Sequence, residues 1–175
     1  MLTTIEKVIF LKQVSFFQEM TIPQLRTLAS ISEEVSYEEG HKILAEGEHG
    51  DALHVVVSGR VAIQRQVKQQ GSLAITRLAT LRSRDYFAEM SIFDNQAHDA
   101  DAIALEPTTL LLVRQRPLVA LIKHQPQLSL SLLKVLSQRL RQANSLIASK
   151  SGSKSKALVE LYDKGLIHQL GEWHF

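Results

Sequence analysis

A chain of 175 residues fits one domain with a short appendage, and a hydrophobic content of 45% is enough for a compact core. The absence of cysteine excludes a disulfide scaffold, thiolate metal sites and thiol catalysis. The sequence contains neither an apolar run of about 18 residues nor a signal-peptide pattern, so we expect a cytoplasmic protein without a membrane span.

The net charge of +2 is unevenly distributed along the chain. Residues 1–106 carry ten Lys and Arg against fifteen Asp and Glu, whereas residues 107–159 carry nine Lys and Arg and no acid. This asymmetry fits either an anionic partner or a solvated basic helix that faces the acidic half of its own fold. Residues 107–159 also lack Phe, Tyr and Trp, which argues against a stacking platform for single-stranded nucleic acid.

The first thirty residues predict helices. Apolar residues recur at helical spacing between Ile5 and Phe16. The tetrapeptide Thr-Ile-Pro-Gln at 21–24 matches a capping box, with Thr as the N-cap and proline in the first turn. We expect the short helix that follows to bury Leu25 and Leu28.

Between residues 32 and 116, glycines punctuate short runs rich in β-branched residues. Short strands at near-regular spacing indicate a sandwich, jelly roll or barrel. The predicted strands are 34–37, 42–45, 53–57, 60–65, 74–81, 100–105 and 109–114. Residues 86–93 break this pattern, and residues 90–93 predict a short helix within an otherwise all-β region.

After Pro117 the pattern is helical again, with a short helix at 118–124 and a longer one from Pro126 to about residue 149. In the longer helix an a/d seam of two heptads consists of Leu133, Leu136, Leu140, Ala143 and Ile147. A second apolar face consists of Leu128, Leu130, Leu132 and Val135. We expect the second face to lie on the barrel and the seam to form a homodimer; the alternative is a helix that only covers the barrel. By composition, 150–175 is a flexible linker and a short tail.

The run ILAEGEHGDALHVVVSGRVAI at 43–63, followed by LATL at 78–81 and DYFAEMSIF at 85–93, resembles the cyclic nucleotide-binding domain family. The resemblance covers roughly residues 10–148. It implies a mainly β fold, a jelly-roll-like β-roll with flanking helices, in a domain over 1–149. The N-terminal helices would span about 4–31, the β-roll about 32–116 and the C-terminal helices about 117–149.

In that family the stretch at 87–101 is a cassette that binds a cyclic phosphodiester. The resemblance places seven residues in the cassette: Ala88, Glu89, Met90, Ser91, His98, Asp99 and Ala100. Glu89 matches the carboxylate that accepts the ribose 2′-hydroxyl, and Ala88 replaces the glycine before it. His98 replaces the arginine that pairs with the phosphate, and Asp99 replaces a small, usually hydroxyl-bearing residue.

These replacements weaken the electrostatics of a phosphate site. Loss of a charge-assisted hydrogen bond costs roughly 1.5–3 kcal/mol, and an added carboxylate repels an anion by about 4 kcal/mol at 4 Å and an effective dielectric constant of 20. We therefore expect cyclic AMP (cAMP) and cyclic GMP (cGMP) to bind weakly. Three alternatives stay open: Arg82 or Arg84 supplies the missing guanidinium, Glu89 and Asp99 hold a neutral or cationic ligand, or Glu89 caps a turn and His98–Asp99 is an exposed loop.

The sequence favours a non-catalytic regulatory module that acts through its helices on a protein partner or a covalently linked effector domain. A functional small-ligand sensor is the alternative, and a metal-dependent enzyme of the cupin type is a more remote one. A cupin needs a His-x-His pair, which is missing, and the seven histidines are scattered, so we expect most of them on the surface and no metal site. We also expect no DNA-binding domain, because 150–175 is too short for a helix-turn-helix domain.

Overall fold

The structure is a computed structural model that describes residues 1–69 and 72–150. Two helices come first, α1 (Thr4–Lys12) and α2 (Ile22–Ser30). The strands are β1 (Ser32–Tyr37), β2 (Lys42–Leu44), β3 (Ala52–Ser58), β4 (Val61–Gln69), β5 (Ser72–Leu81), β6 (Tyr86–Phe87), β7 (Asp101–Ala104) and β8 (Thr108–Arg114). The remaining helices are α3 (Glu89–Asp94), between β6 and β7, and α4 (Gln115–His124) and α5 (Gln127–Lys150) after β8. Nearly all of the predicted linker and tail lies outside the described residues.

The strands form two antiparallel sheets of four strands each. Their orders are β1-β8-β3-β6 and β2-β7-β4-β5. One apolar cluster takes residues from both sheets: Ala52, Val56, Val61, Phe87, Ala102, Leu110 and Leu112. The predicted fold class, a mainly β roll with flanking helices, is thereby confirmed.

The N-terminal helices follow their capping signals. The Thr21 amide donates to the Oε1 of Gln24 at 2.8 Å, which is the reciprocal half of the predicted capping box. Leu25 and Leu28 are fully buried, as expected. The first helix ends at Lys12, and the ammonium of Lys12 donates to the backbone carbonyls of Gln18 and Met20 in the turns that follow.

Residues Met1–Leu132 form one compact unit, and a second unit begins at Leu133, inside α5. Within the first unit Leu128 and Leu132 are buried as expected, but Leu130 is exposed. Placing Leu130 on the buried face was therefore wrong, because residues two apart on a helix point in different directions.

The predicted seam lies in the second unit. Leu133 and Leu140 are 57% and 63% exposed, and Leu136 is half-buried. The side chains of Ala143 and Ile147 lie outside what the structure describes. Among the described helices, none combines the length and the hydropathy that a membrane crossing requires.

Candidate functional site

The cassette is built around the short helix α3, which follows directly on β6. Ala88 precedes the helix in a left-handed conformation with φ of 61°, a region that favours glycine. Asn95 ends the helix in the same conformation, and its amide donates to the carbonyl of Ser91. The Ser91 hydroxyl in turn donates to the carbonyl of Ala88 at 3.0 Å. The helix predicted at 90–93 is therefore present as part of α3, and the first two residues of the segment 86–93 form a strand.

The loop that contains Gly47 and Gly50 holds the far end of the cassette. The Gly47 amide donates to the His98 carbonyl at 2.9 Å, and the His98 amide donates to the Glu48 carbonyl at 2.8 Å. An isolated bridge also pairs His49 with Ala97. The glycine-rich loop and the cassette therefore form one unit, although they are some fifty residues apart in sequence.

His98 is buried against this loop rather than exposed. Its side chain is only 9% exposed, and a Cβ on residue 50 would overlap its Nε2 and Cε1 atoms. The alternative that His98–Asp99 is an exposed loop is therefore wrong for His98, although Asp99 is exposed. The Nε2 of His98 has no hydrogen-bond partner among the described residues. Burial lowers the pKa of His98 below its ordinary value, and Glu48 and Asp99 offset this only in part.

A second buried histidine, His54, lies in the wall behind the cassette. It is 5% exposed, its ring stacks on Phe87 at a centroid distance of 4.9 Å, and its Nδ1 has no partner in the described chain. Burial lowers the pKa of His54 to about 4, and His98 lies close enough to contribute to this shift. His54 and His98 are thus exceptions to the expectation that most histidines lie on the surface. No three His, Asp or Glu side chains within the described ranges are grouped as metal ligands.

A cavity of about 230 Å³ opens beside α3. All seven residues that the sequence analysis assigned to the cassette line it: Ala88, Glu89, Met90, Ser91, His98, Asp99 and Ala100. Its other lining residues are Leu44, Ile63, Phe87, Asp94, Gln96, Ala97 and Ala102. The structure thus brings the two halves of the cassette together around one concave, mainly apolar surface.

The ionisable residues of the cavity are acidic, apart from His98. Three carboxylates line it, from Glu89, Asp94 and Asp99, and no Lys or Arg does so in the described part of the chain. The Glu89 side chain is buried, at 8% exposed, and Asp94 accepts a hydrogen bond from the Gln96 amide at 3.0 Å. A phosphate in the cavity would lie near these carboxylates and the imidazole of His98, with no Lys or Arg among the described lining residues.

Two cations close to the cassette in sequence lie outside the lining of the cavity. Arg82 and Arg84 are exposed in the turn before β6, and neither lines the cavity. Lys42 pairs with Asp101 at 3.0 Å, and Arg65 pairs with Glu46 at 3.0 Å.

The described chain thus combines an antiparallel β-roll, helices before and after it, and a strand-helix cassette open to a cavity. The family model described as Cyclic nucleotide-binding domain matches residues 34–125. The chain belongs to this family.

Two curated relatives and one solved structure show the breadth of the likeness. The chain is 30% identical to the CRP-like cAMP-activated global transcriptional regulator of Mycobacterium tuberculosis over 79% of its own length and 60% of that protein. It is 33% identical to the Cyclic AMP receptor protein of Thermus thermophilus over 74% of its own length and 61% of that protein. The crystal structure of the Thermus thermophilus Catabolite Activator Protein superposes with a TM-score of 0.68 at 29% identity, over 86% of this chain and 72% of that one. The chain thus spans about 60% of the length of these curated relatives.

Sequence reasoning missed two residues of the site. Neither His54 nor Phe87 is among the seven residues assigned to the cassette from the sequence. The register of β3 on β6 places them opposite each other. The available signal was the continuous apolar run of β3, since a histidine within such a run is expected to be buried as well.

Proposed function

We propose that this chain is a non-catalytic regulatory module that binds cAMP and cGMP poorly and acts through its helices as an interaction or signalling domain. The observation that carries the proposal is the lack of a cation at the cavity: no Lys or Arg is among the described lining residues, His98 is buried, and Asp99 adds a carboxylate beside it. A cyclic phosphate carries one negative charge and needs a fixed cation or several donors.

The second candidate is a sensor for a ligand without a phosphate. The cavity keeps a volume of about 230 Å³ and apolar walls that include Leu44, Ile63 and Phe87, which supports this reading. Glu89 and Asp99 would then favour a neutral or cationic molecule over an anion.

The partner of the module is a second copy of the chain, together with a protein partner or a linked effector domain. The homodimer uses the seam at Leu133, Leu136, Leu140, Ala143 and Ile147. The exposure of Leu133 and Leu140 supports this, since apolar side chains at heptad spacing favour burial against a second helix.

Restoration of the missing groups tests the poor-binding proposal. The triple variant A88G/H98R/D99S returns the glycine, the arginine and the small hydroxyl residue to their family positions. Calorimetric titration with cAMP and with cGMP should give saturable binding for the triple variant, tighter than that of the unmodified chain by roughly a thousandfold. The variant H98R alone should recover only part of this, because Asp99 remains.

Two outcomes would contradict the proposal. Tight binding by the unmodified chain would mean that another group neutralises the phosphate. Equal, weak binding by the unmodified chain and by a triple variant with an unchanged melting temperature would mean that the electrostatics of the cassette do not limit the affinity.

A further inference from the structure

A groove of about 500 Å³ lies between α3 and α4, separate from the cassette cavity. Its apolar lining comes from Ile92 and Phe93 of α3 and from Val119 and Ala120 of α4. Phe93 is 44% exposed, whereas Ile92 is buried and forms the floor. A partly exposed aromatic ring beside an apolar depression is typical of an anchor for a protein partner.

Two cations of α4, Arg116 and Lys123, also line this groove. They are seven residues apart, so they lie on the same helix face, two turns and about 10 Å from each other. Val119 and Ala120 lie between them on that face. Within the described ranges neither cation forms an ion pair, and no carboxylate lines the groove. The groove therefore presents the order cation, apolar, apolar, cation along one helix.

The walls of the groove are fixed to each other by Gln115. Its side-chain amide donates to the Ile92 carbonyl and to the Asn95 Oδ1, both at 2.7 Å. These bonds tie the end of the cassette helix to the start of α4. Met90, one turn before Phe93, lines the cassette cavity. A molecule in the groove would thus contact the helix that also borders the cavity.

We propose that this groove binds an amphipathic helix of a partner protein that carries acidic residues at positions i and i+7 and apolar residues at i+3 and i+4. This order is the complement of Arg116, Val119, Ala120 and Lys123, with Phe93 as the anchor on the opposite wall. The inference rests on the proposed function, because it names the surface and the partner chemistry through which the module acts. Two cations around an apolar floor favour a peptide over a nucleic acid, whose binding depends mainly on many phosphate contacts.

A synthetic peptide tests the proposal without knowledge of the natural partner. A fluorescein-labelled helical peptide of about 16 residues would carry Glu at i and i+7 and Leu at i+3 and i+4. Fluorescence anisotropy with the full chain should show saturable binding of this peptide. A second peptide with the same composition but with Glu at i and i+5 should bind more weakly by roughly tenfold, because its charges no longer match the helix face.

Variants of the chain locate the binding site. R116E/K123E should weaken binding of the Glu peptide by roughly tenfold or more and should bind a peptide with Lys in place of both Glu residues. F93A should weaken binding of the Glu peptide to the otherwise unmodified chain and binding of the Lys peptide to R116E/K123E. The matched control R26E/R77E makes the same change of charge at two exposed cations outside the groove and should leave binding within about twofold. Circular dichroism melts of each variant separate loss of binding from loss of folding.

Several results would overturn the proposal. One is a lack of saturable binding of the Glu peptide. Another is that R116E/K123E and R26E/R77E weaken its binding equally. A third is that the Lys peptide does not bind folded R116E/K123E. A DNA duplex or an anionic phospholipid vesicle that binds through Arg116 and Lys123 while the peptide does not would assign the groove to a different partner class. The peptide assay contains no nucleotide. Tight cAMP binding would therefore contradict only the proposed poor nucleotide binding, and a peptide that does not bind would contradict only the proposed role of the groove.

Discussion

The imidazole of His98 occupies the space next to Gly50 that any side chain on residue 50 would need. The same two backbone segments exchange hydrogen bonds two and three residues before Gly50, at Glu48 and Gly47. Gly50 is thus a site of close approach, and the imidazole of His98 is buried against it.

We expect Gly50→Ala to destabilise the domain by about 1–3 kcal/mol, because the new methyl group overlaps the ring of His98. Urea unfolding measures this change. G50A/H98A should recover much of the loss, since removal of the ring makes room for the methyl group. Gly40→Ala is the control: its φ of 81° strains any side chain but its surroundings are open, so H98A should not rescue it. Additive effects of G50A and H98A would contradict the contact.

Acidification should destabilise the fold through His54. The pKa of His54 is lowered to about 4 because burial disfavours the imidazolium, so the unfolded chain binds a proton near pH 6.5 that the folded chain takes up only near pH 4. Stability is therefore complete above pH 6.5 and falls between pH 6.5 and 4, by about 3 kcal/mol from this group.

Urea unfolding at intervals of pH, on the unmodified chain and on H54F, checks this expectation. The phenylalanine keeps a ring stacked on Phe87 but does not titrate, so H54F should lose about 3 kcal/mol less over the same interval. Parallel pH profiles for the two proteins would contradict the assignment. The lowered pKa values of Asp101 and Glu6 act at lower pH and affect both proteins equally.

Ala88→Gly should stabilise the fold by about 0.5–1 kcal/mol. The left-handed backbone costs a non-glycine residue about 1–2 kcal/mol, and the greater freedom of glycine in the unfolded chain offsets part of the gain. Ala97→Gly is the matched control. Ala97 is not among the residues with positive φ, so this substitution should destabilise the fold by about 0.5–1 kcal/mol. Thermal melts of both variants give the comparison, and destabilisation by A88G would show that the left-handed conformation at residue 88 is wrong.

Disruption of the helical seam should convert a dimer into a monomer. Light scattering after size exclusion should give twice the chain mass for the unmodified protein and a single chain mass for L133E/L140E. Q138E/S145E adds the same charge at two exposed positions on the opposite side of the heptad repeat and should leave the dimer intact. A monomeric mass for the unmodified protein would show that the seam does not form a homodimer.

Most of the β-roll could be predicted because its signals are local. Each predicted strand between residues 34 and 114 has an observed counterpart, since alternation and turn glycines act over a few residues. The strand Tyr86–Phe87 was missed because it is two residues long and exists through its pairing with His54 and Val55, which lie far away in the sequence.

The candidate site could also be predicted only in part. The charge of a side chain follows from its residue type, so the sequence alone predicted that the cassette has no Arg or Lys in place of the family's arginine. The direction of a side chain depends on packing, so neither the placement of His98 on Gly50 nor the groove beside Phe93 could be predicted. Both arise from contacts between segments that are separated by many residues.

The most direct test of the central claim is a calorimetric titration of the unmodified chain with cAMP and then cGMP, at pH 6 and at pH 8. The charges at the cavity predict no saturable heat at micromolar ligand at either pH. Saturation at both pH values would contradict the claim, and Arg82 and Arg84 would then be the cations to replace. Saturation at pH 6 alone would contradict it in a different way, because it would assign the phosphate to a protonated His98.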